Sequence, residues 1–130
     1  MTSSGGLLRR GADISERLLL VAVGVVRISK RLARDPTTRH IAMQMLRSGT
    51  SAGANYEEAR GAESRADFVH KVRVSTKELR ETLYWLKLIG RAELVPQDES
   101  ALIDEVDQMI AILMASARTA RQRPPVPAEP

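Results

Sequence analysis

The sequence predicts an all-α protein built as an antiparallel, up-down four-helix bundle. Apolar residues recur at alternating spacings of three and four in four long segments, which places them on one face of each helix. Glycine, proline and helix-capping residues fall between these segments and indicate short turns, and no segment alternates as a strand does. The 130 residues are the size of one domain.

The first helix has an apolar face at heptad spacing, and its middle, residues 18–26, is apolar on every side. Nine such residues are too few to span a bilayer, which needs about 20, so we expect no membrane association. An apolar helix outside a membrane must be buried on more than one side. We therefore predict a homo-oligomer. Its interface is predicted to contain Leu19, Val23, Val26, Val74 and Trp85.

The second and third helices, about residues 38–61 and 65–90, form a predicted hairpin in which Gly61 ends one helix and Ser64 caps the next. Gly49 and Gly53 in the second helix are expected to let a neighbouring backbone approach. For the other helices, the candidate N-caps are Asp13 or Ser15, Thr37 or Thr38, and Asp98 or Ser100.

Polar residues line one flank of this hairpin. Because both helices rise by about 1.5 Å per residue, facing residues have numbers that sum to about 125. Arg47 then meets Glu78, and Gln44 lies near Glu81. We expect the ion pair between Arg47 and Glu78 to fix the register of the two helices. The predicted hairpin seam consists of Gln44, Arg47, Ser51, Asn55, Glu58, Glu78 and Glu81.

The chain divides into three predicted segments. Residues 1–11 are expected to be a flexible leader, residues 12–121 the bundle, and residues 122–130 a proline-rich disordered tail. The leader lacks the apolar core of a signal peptide, and we predict a cytoplasmic protein.

Fifteen positions of the hairpin resemble a family signature: Gln44, Arg47, Ser48, Ser51, Ala52, Asn55, Glu58, Gly61, Ser64, Phe68, Ser75, Glu78, Leu79, Glu81 and Leu83. The signature is that of the bacterial four helix bundle protein family, also called the 23S ribosomal RNA intervening-sequence protein family. The resemblance implies a four-helix subunit, commonly assembled as a ring-like homopentamer, without established enzymatic activity. A related accessory protein of diversity-generating retroelements has a similar fold and binds nucleic acid and a reverse transcriptase.

The residues argue against most enzyme chemistry. With no cysteine, the chain has no disulfide and no thiolate ligand or nucleophile. A di-iron bundle needs two inward Glu-x-x-His elements, and only Asp67-x-x-His70 approaches one. Glu78 and Glu81 are one turn apart, as in a magnesium-dependent nucleotide pyrophosphohydrolase, which stays a remote alternative. We predict no cofactor and no catalytic or metal site.

Positive charge is concentrated in residues 1–50, which contain nine lysines and arginines but only three acidic residues. The whole chain has a charge of only +4. Arginine suits phosphate because its planar donor fork binds bidentately. The predicted nucleic-acid-binding residues are Arg27, Lys30, Arg31, Arg34 and Arg39. A second basic group, Arg118, Arg121 and Arg123 with Arg9 and Arg10, is expected at the opposite end of the bundle. A basic surface that contacts only solvent and binds no nucleic acid would have the same residue counts, so this alternative stays open.

The sequence therefore predicts an oligomeric binding module whose partner is RNA or DNA, bound without sequence specificity because no recognition motif or aromatic platform is evident. The alternative is a scaffold that binds another protein. The identity of the partner stays open.

Overall fold

The computed structural model describes residues 3–96 and 98–123, with side chains from residue 10 onward. These residues form four helices: α1 (Ser3–Leu32), α2 (Pro36–Arg60), α3 (Arg65–Arg91) and α4 (Ser100–Gln122). Each helix packs on the next, and α1 also touches α4, whereas the described parts of α1 and α3 do not meet. The helices thus close a four-helix bundle, and the predicted fold class is confirmed.

The predicted turn between α2 and α3 is confirmed at both ends. Gly61 is the C-cap of α2, and the Ser64 hydroxyl accepts a hydrogen bond from the Asp67 backbone N–H at 3.0 Å. The predicted threonine cap of α2 is wrong. Asp35 takes that place, because its carboxylate accepts from the Thr37 N–H at 2.9 Å while Pro36, which has no N–H, occupies the first helical position.

The start of α1 also differs from its prediction. The helix begins at Ser3, so neither Asp13 nor Ser15 caps it, and most of the segment predicted as a leader is helical. Gly5, Gly6 and Gly11 favoured a non-helical segment, but leucine and arginine, strong helix formers, occupy the positions between them. The flexibility of this segment stays a prediction. Residues 1–2, and the tail from residue 124 onward, lie outside the described residues.

The core is aliphatic and formed by the predicted apolar faces. Its largest fully buried side chains include Leu18, Met45, Leu79, Leu86 and Leu113, at least one from each helix. Every buried side-chain polar atom in the described part of the chain has a hydrogen-bond partner. The structure therefore satisfies both requirements of a stable interior, apolar packing and polar pairing.

The two glycines of α2 face α1, at different separations. A Cβ atom built on Gly49 would lie 2.8 Å from both γ carbons of Val25. A Cβ atom on Gly53 would lie 3.5 Å from the Leu18 Cβ and 3.8 Å from its backbone. Close approach of α1 therefore requires glycine at position 49 and only tolerates it at position 53.

Candidate functional site

The α2–α3 flank holds matched charges. Arg47 donates to Glu78 Oε2 at 3.1 Å and, at 2.6 Å, to Glu81 Oε1. Farther along, Lys71 Nζ donates to Glu58 Oε1 at 2.8 Å. The hydrogen bond from Arg47, followed by that from Trp85 Nε1, lowers the pKa of Glu81. We call these residues the paired flank, because each cation has a carboxylate partner.

Buried hydroxyls also join the two helices of this hairpin. The Ser75 hydroxyl donates to the Ala52 carbonyl at 2.8 Å, and the Ser48 and Thr82 hydroxyls lie 2.8 Å apart, all out of contact with solvent. The Arg47 side chain is 52% exposed, so solvent screens its pairs. The structure contains the Arg47–Glu78 pair, and its role in fixing the register stays a prediction, to which these buried bonds add a second candidate.

Three other residues of the predicted seam, Gln44, Ser51 and Asn55, form no hydrogen bond across the hairpin within the described structure. Gln44 was expected near Glu81, but within the described structure the hydrogen bonds that Glu81 accepts come from Arg47 and Trp85. Asn55 Nδ2 donates to the backbone carbonyl and hydroxyl of Ser51, one turn earlier in the same helix. These amide and hydroxyl groups satisfy each other within α2 and do not cross the hairpin.

The residues predicted for an oligomer interface lie on two separate faces. Leu19 is 57% exposed, and Leu20, Val23 and Val26 are exposed beside it, forming what we call the α1 apolar stripe. Val74 and Trp85 are half-buried on α3, a helix that α1 does not touch. The structure therefore does not bring the two groups together in one subunit.

The predicted nucleic-acid-binding residues gather at one end of the bundle. Arg27, Lys30 and Arg31 are exposed on the last turns of α1, and Arg34 is exposed in the turn that follows. None of the four forms an ion pair within the described part of the chain. Arg39 is also exposed, but its Nε donates to the Ala33 carbonyl at 3.1 Å and thereby caps α1. We call these five residues the bundle-end group.

A second basic surface lies between α3 and α4 and contains residues that the sequence reasoning missed. It is an open cavity of about 320 Å³, and no acidic residue lines it. Its cations, which we call the basic groove, are Arg73, Lys77, Arg80, Arg118 and Arg121. Only Arg118 and Arg121 were predicted as a group, and their neighbours are on α3. The spacings of four and three between the α3 cations were the available signal.

The structure gives no sign of a metal centre. Within the described residues, no group of three or more histidine, aspartate or glutamate side chains is placed to hold a metal ion. Glu78 and Glu81, the candidate carboxylates of a pyrophosphohydrolase, both bind Arg47. In the same part of the chain, no helix has the length and apolar content needed to cross a membrane.

These features define a four-helix bundle with two basic surfaces whose cations form no ion pair within the described residues. A sequence model of the 23S rRNA-intervening sequence protein family matches residues 12–115, and the chain belongs to that family. Its fold is similar to the crystal structure of a protein of unknown function from the S23 ribosomal protein family of Bacteroides thetaiotaomicron VPI-5482. The two share 34% identity with a TM-score of 0.77, over 84% of this chain and 98% of the other. No curated protein matches the sequence.

Proposed function

We propose that this chain is a non-enzymatic module that binds RNA or DNA through its basic surfaces without reading base sequence. The unequal pairing of charge supports this proposal. Cations of the paired flank form ion pairs with carboxylates, whereas those of the bundle-end group and the basic groove form none in the described structure. Phosphates would supply the missing negative charge. The family's description also names an RNA, the 23S rRNA.

Contacts of this kind position a nucleic acid but do not specify its sequence. Lysine and arginine side chains that bind phosphate carry no direct information about the bases. Binding should therefore release counterions and weaken linearly as the logarithm of the salt concentration rises. A non-specific, salt-sensitive interaction follows from the composition of the surface.

We also propose that the working unit is a homo-oligomer, a pentamer as the family resemblance implies. The α1 apolar stripe and the half-buried Val74 and Trp85 lie on helices that do not touch. If the stripe of one subunit packs on the Trp85 side of the next, the contact is heterologous and can close a ring. Each basic surface would then be repeated around the ring, which strengthens the field that attracts a polyanion.

Sedimentation velocity at micromolar concentration tests the assembly. We expect one defined species larger than a monomer, and Val23→Glu should dissociate it because the new carboxylate is buried in the interface. Glu16→Gln, an exposed change on the same helix, serves as the control and should leave the species intact. A stable monomer of the unmodified chain contradicts the proposal.

Binding of fluorescein-labelled RNA and DNA, followed by anisotropy, tests the nucleic-acid function. We expect the chain to bind RNA and DNA of unrelated sequences at low salt. Its affinity should fall equally steeply for all of them as salt is added. Replacing Lys30, Arg31 and Arg34 by glutamine should weaken binding to all sequences about equally and flatten the salt dependence. The melting curve followed by circular dichroism should not change, because these side chains are exposed.

A matched control uses Arg47→Gln, which removes a cation that already has partners. It should weaken binding less than any single change in the bundle-end group. Absence of binding to both RNA and DNA at low salt contradicts the proposed function. The better interpretation would then be a scaffold for another protein, for which the exposed α1 apolar stripe is the supporting observation.

A further inference from the structure

We infer that the basic groove binds a single strand of nucleic acid, with phosphates on its cations and a base stacked on Tyr84. This inference rests on the proposed function and names the form of nucleic acid that one of the two basic surfaces takes. It depends on the charge, the width and the neighbouring aromatic residue of the groove.

The charges of the groove repel one another in the free protein. Arg73 and Lys77 are four residues apart on α3, and Lys77 and Arg80 are three apart, so consecutive turns carry like charges. Arg118 and Arg121 repeat this arrangement on α4. Like charges at these spacings destabilise a helix, and a bound polyanion removes the repulsion. The groove is therefore suited to an anionic chain that reaches several cations at once.

The shape of the groove favours one strand over a duplex. The cavity between α3 and α4 has a volume of about 320 Å³, which accommodates part of one strand but not two paired strands. Its floor consists of Met114, Ala117 and Thr76, whose hydroxyl already donates to the Val72 carbonyl at 3.0 Å. Such a floor offers apolar contact without free hydrogen-bonding groups, so it does not discriminate between bases.

Tyr84 supplies the stacking surface that the sequence reasoning did not find. It follows Arg80 by four residues and Lys77 by seven, which places it on the same face of α3. Its side chain is 59% exposed. The Trp85 ring contacts it edge to face, with centroids 5.1 Å apart and an interplanar angle of 75°. Exposed rings beside cationic grooves are the usual means of holding single strands, because every base has a π face.

Negative charge on α4 limits the groove at the end near Tyr84. The residues that line the groove run from Arg73 to Arg80 on α3 and from Arg121 back to Met114 on α4, so positions whose numbers sum to about 194 lie near one level. In this antiparallel pair, Lys87 then lies level with Asp107, and α4 carries Asp104 one turn earlier. A bound strand would therefore lie between Arg73 and Tyr84, a length of about 16 Å along α3.

The test compares labelled oligouridylate with the same strand paired to oligoadenylate, using the full chain and anisotropy at several salt concentrations. Replacing Arg73, Lys77 and Arg80 by glutamine should flatten the logarithmic salt slope for the single strand by about 2, because three phosphate contacts are lost. Tyr84→Ala should weaken single-strand binding by about 5- to 150-fold, whereas Tyr84→Phe, which keeps the ring, should bind normally. Neither tyrosine change should alter binding of the duplex.

Three outcomes separate the inference from the proposed function. If Tyr84→Ala has no effect and the groove variant weakens single and double strands equally, the inference is overturned while nucleic-acid binding stands. If polyglutamate displaces the oligouridylate as well as unlabelled RNA does, the groove takes acidic chains in general, and the inference also fails. If the unmodified chain binds neither strand form, the proposed function itself fails. The variant at Lys30, Arg31 and Arg34 should weaken both forms equally and serves as the comparison.

Discussion

Helix α3 carries charged residues on two flanks that differ in how their charges are matched. On the paired flank, Glu78 and Glu81 form ion pairs with Arg47 of α2, and Lys71 forms one with Glu58. On the opposite side, Arg73, Lys77 and Arg80 face a groove that has no lining carboxylate. One helix thus holds a surface whose cations form ion pairs and a surface whose cations form none within the described residues, with a row of buried residues between them on the core side.

The difference indicates which charges serve the fold. A charge that is matched within the subunit needs no further partner, and its effect is local. Repeated positive charges on neighbouring turns oppose the folded helix slightly. Lys77 lies close enough to help the Arg47 hydrogen bond lower the pKa of Glu81. The groove cations nevertheless form no ion pair within the described residues, and an external anion would offset their repulsion. The paired flank therefore contributes to the structure, and the basic groove is the stronger candidate for an interaction with another molecule.

The largest expected effect comes from the apolar row between the two flanks. Leu79 is completely buried, so Leu79→Ala should lower the free energy of unfolding by about 2–5 kcal/mol. Urea denaturation would measure it, with the exposed Lys77→Ala as a near-neutral control. If Glu78→Gln destabilised the protein as much as Leu79→Ala, ion pairs and not apolar packing would hold α3 in place.

The next effect concerns α2, which supplies the partners of the paired flank. Gly49→Ala should destabilise the bundle by about 1–3 kcal/mol, because the new methyl group would overlap the stiff, branched Val25 side chain at 2.8 Å. Gly53→Ala should instead stabilise it by up to about 1 kcal/mol, since its methyl group meets only ordinary contacts near 3.5 Å and alanine favours the helix.

Thermal unfolding of the two alanine variants measures this contrast. Both substitutions add one methyl group to the same helix, so each is the control for the other. Shifts of equal sign and size would mean that α1 can move away from α2, and that the distance between these helices does not depend on glycine.

Much of this structure could be predicted from periodicity and register. The spacing of apolar residues gave the four helices, and the sum rule for the hairpin placed Arg47 opposite Glu78, a contact that the structure contains. The same rule overlooked Glu81 as the closer partner, because a long arginine side chain reaches one turn beyond the level of its Cα. Register arguments locate the backbone more reliably than the ends of side chains.

The basic groove escaped prediction for a different reason. The difference in charge between the two halves of the chain does not reveal the groove. Its cations lie on α3 and α4, where Asp104, Asp107 and other acidic residues cancel the positive charge in a net count. Which helix faces become neighbours depends on the packing order of the bundle. The cation spacing in α3 could have identified the α3 half of the basic groove, but not the cations on α4 that complete it.

The smallest effect, and the most direct test of the comparison, is the response of the two flanks to pH. On the paired flank, the Arg47 hydrogen bond lowers the pKa of Glu81. Outside both flanks, Arg17 of α1 donates to Glu105 of α4 at 2.8 and 2.7 Å, and this hydrogen bonding lowers the pKa of Glu105. A carboxyl with a lowered folded-state pKa stabilises the protein above its unfolded value of about 4.3, and this contribution disappears as the pH falls through the folded value. Acidification below about pH 4.3 should therefore reduce the free energy of unfolding.

The Glu81→Gln variant should lose part of this pH dependence and start from a lower stability at neutral pH, because the amide keeps the size of the side chain but not its charge. Arg73→Gln, in the basic groove, should leave the pH dependence near that of the unmodified chain and should not lower stability at neutral pH, since it removes repulsion and no ion pair. Added salt should narrow the difference between the variants by screening both effects. A loss of stability in Arg73→Gln as large as that in Glu81→Gln would show that the groove cations have partners within the protein, and the distinction between the two flanks would then be wrong.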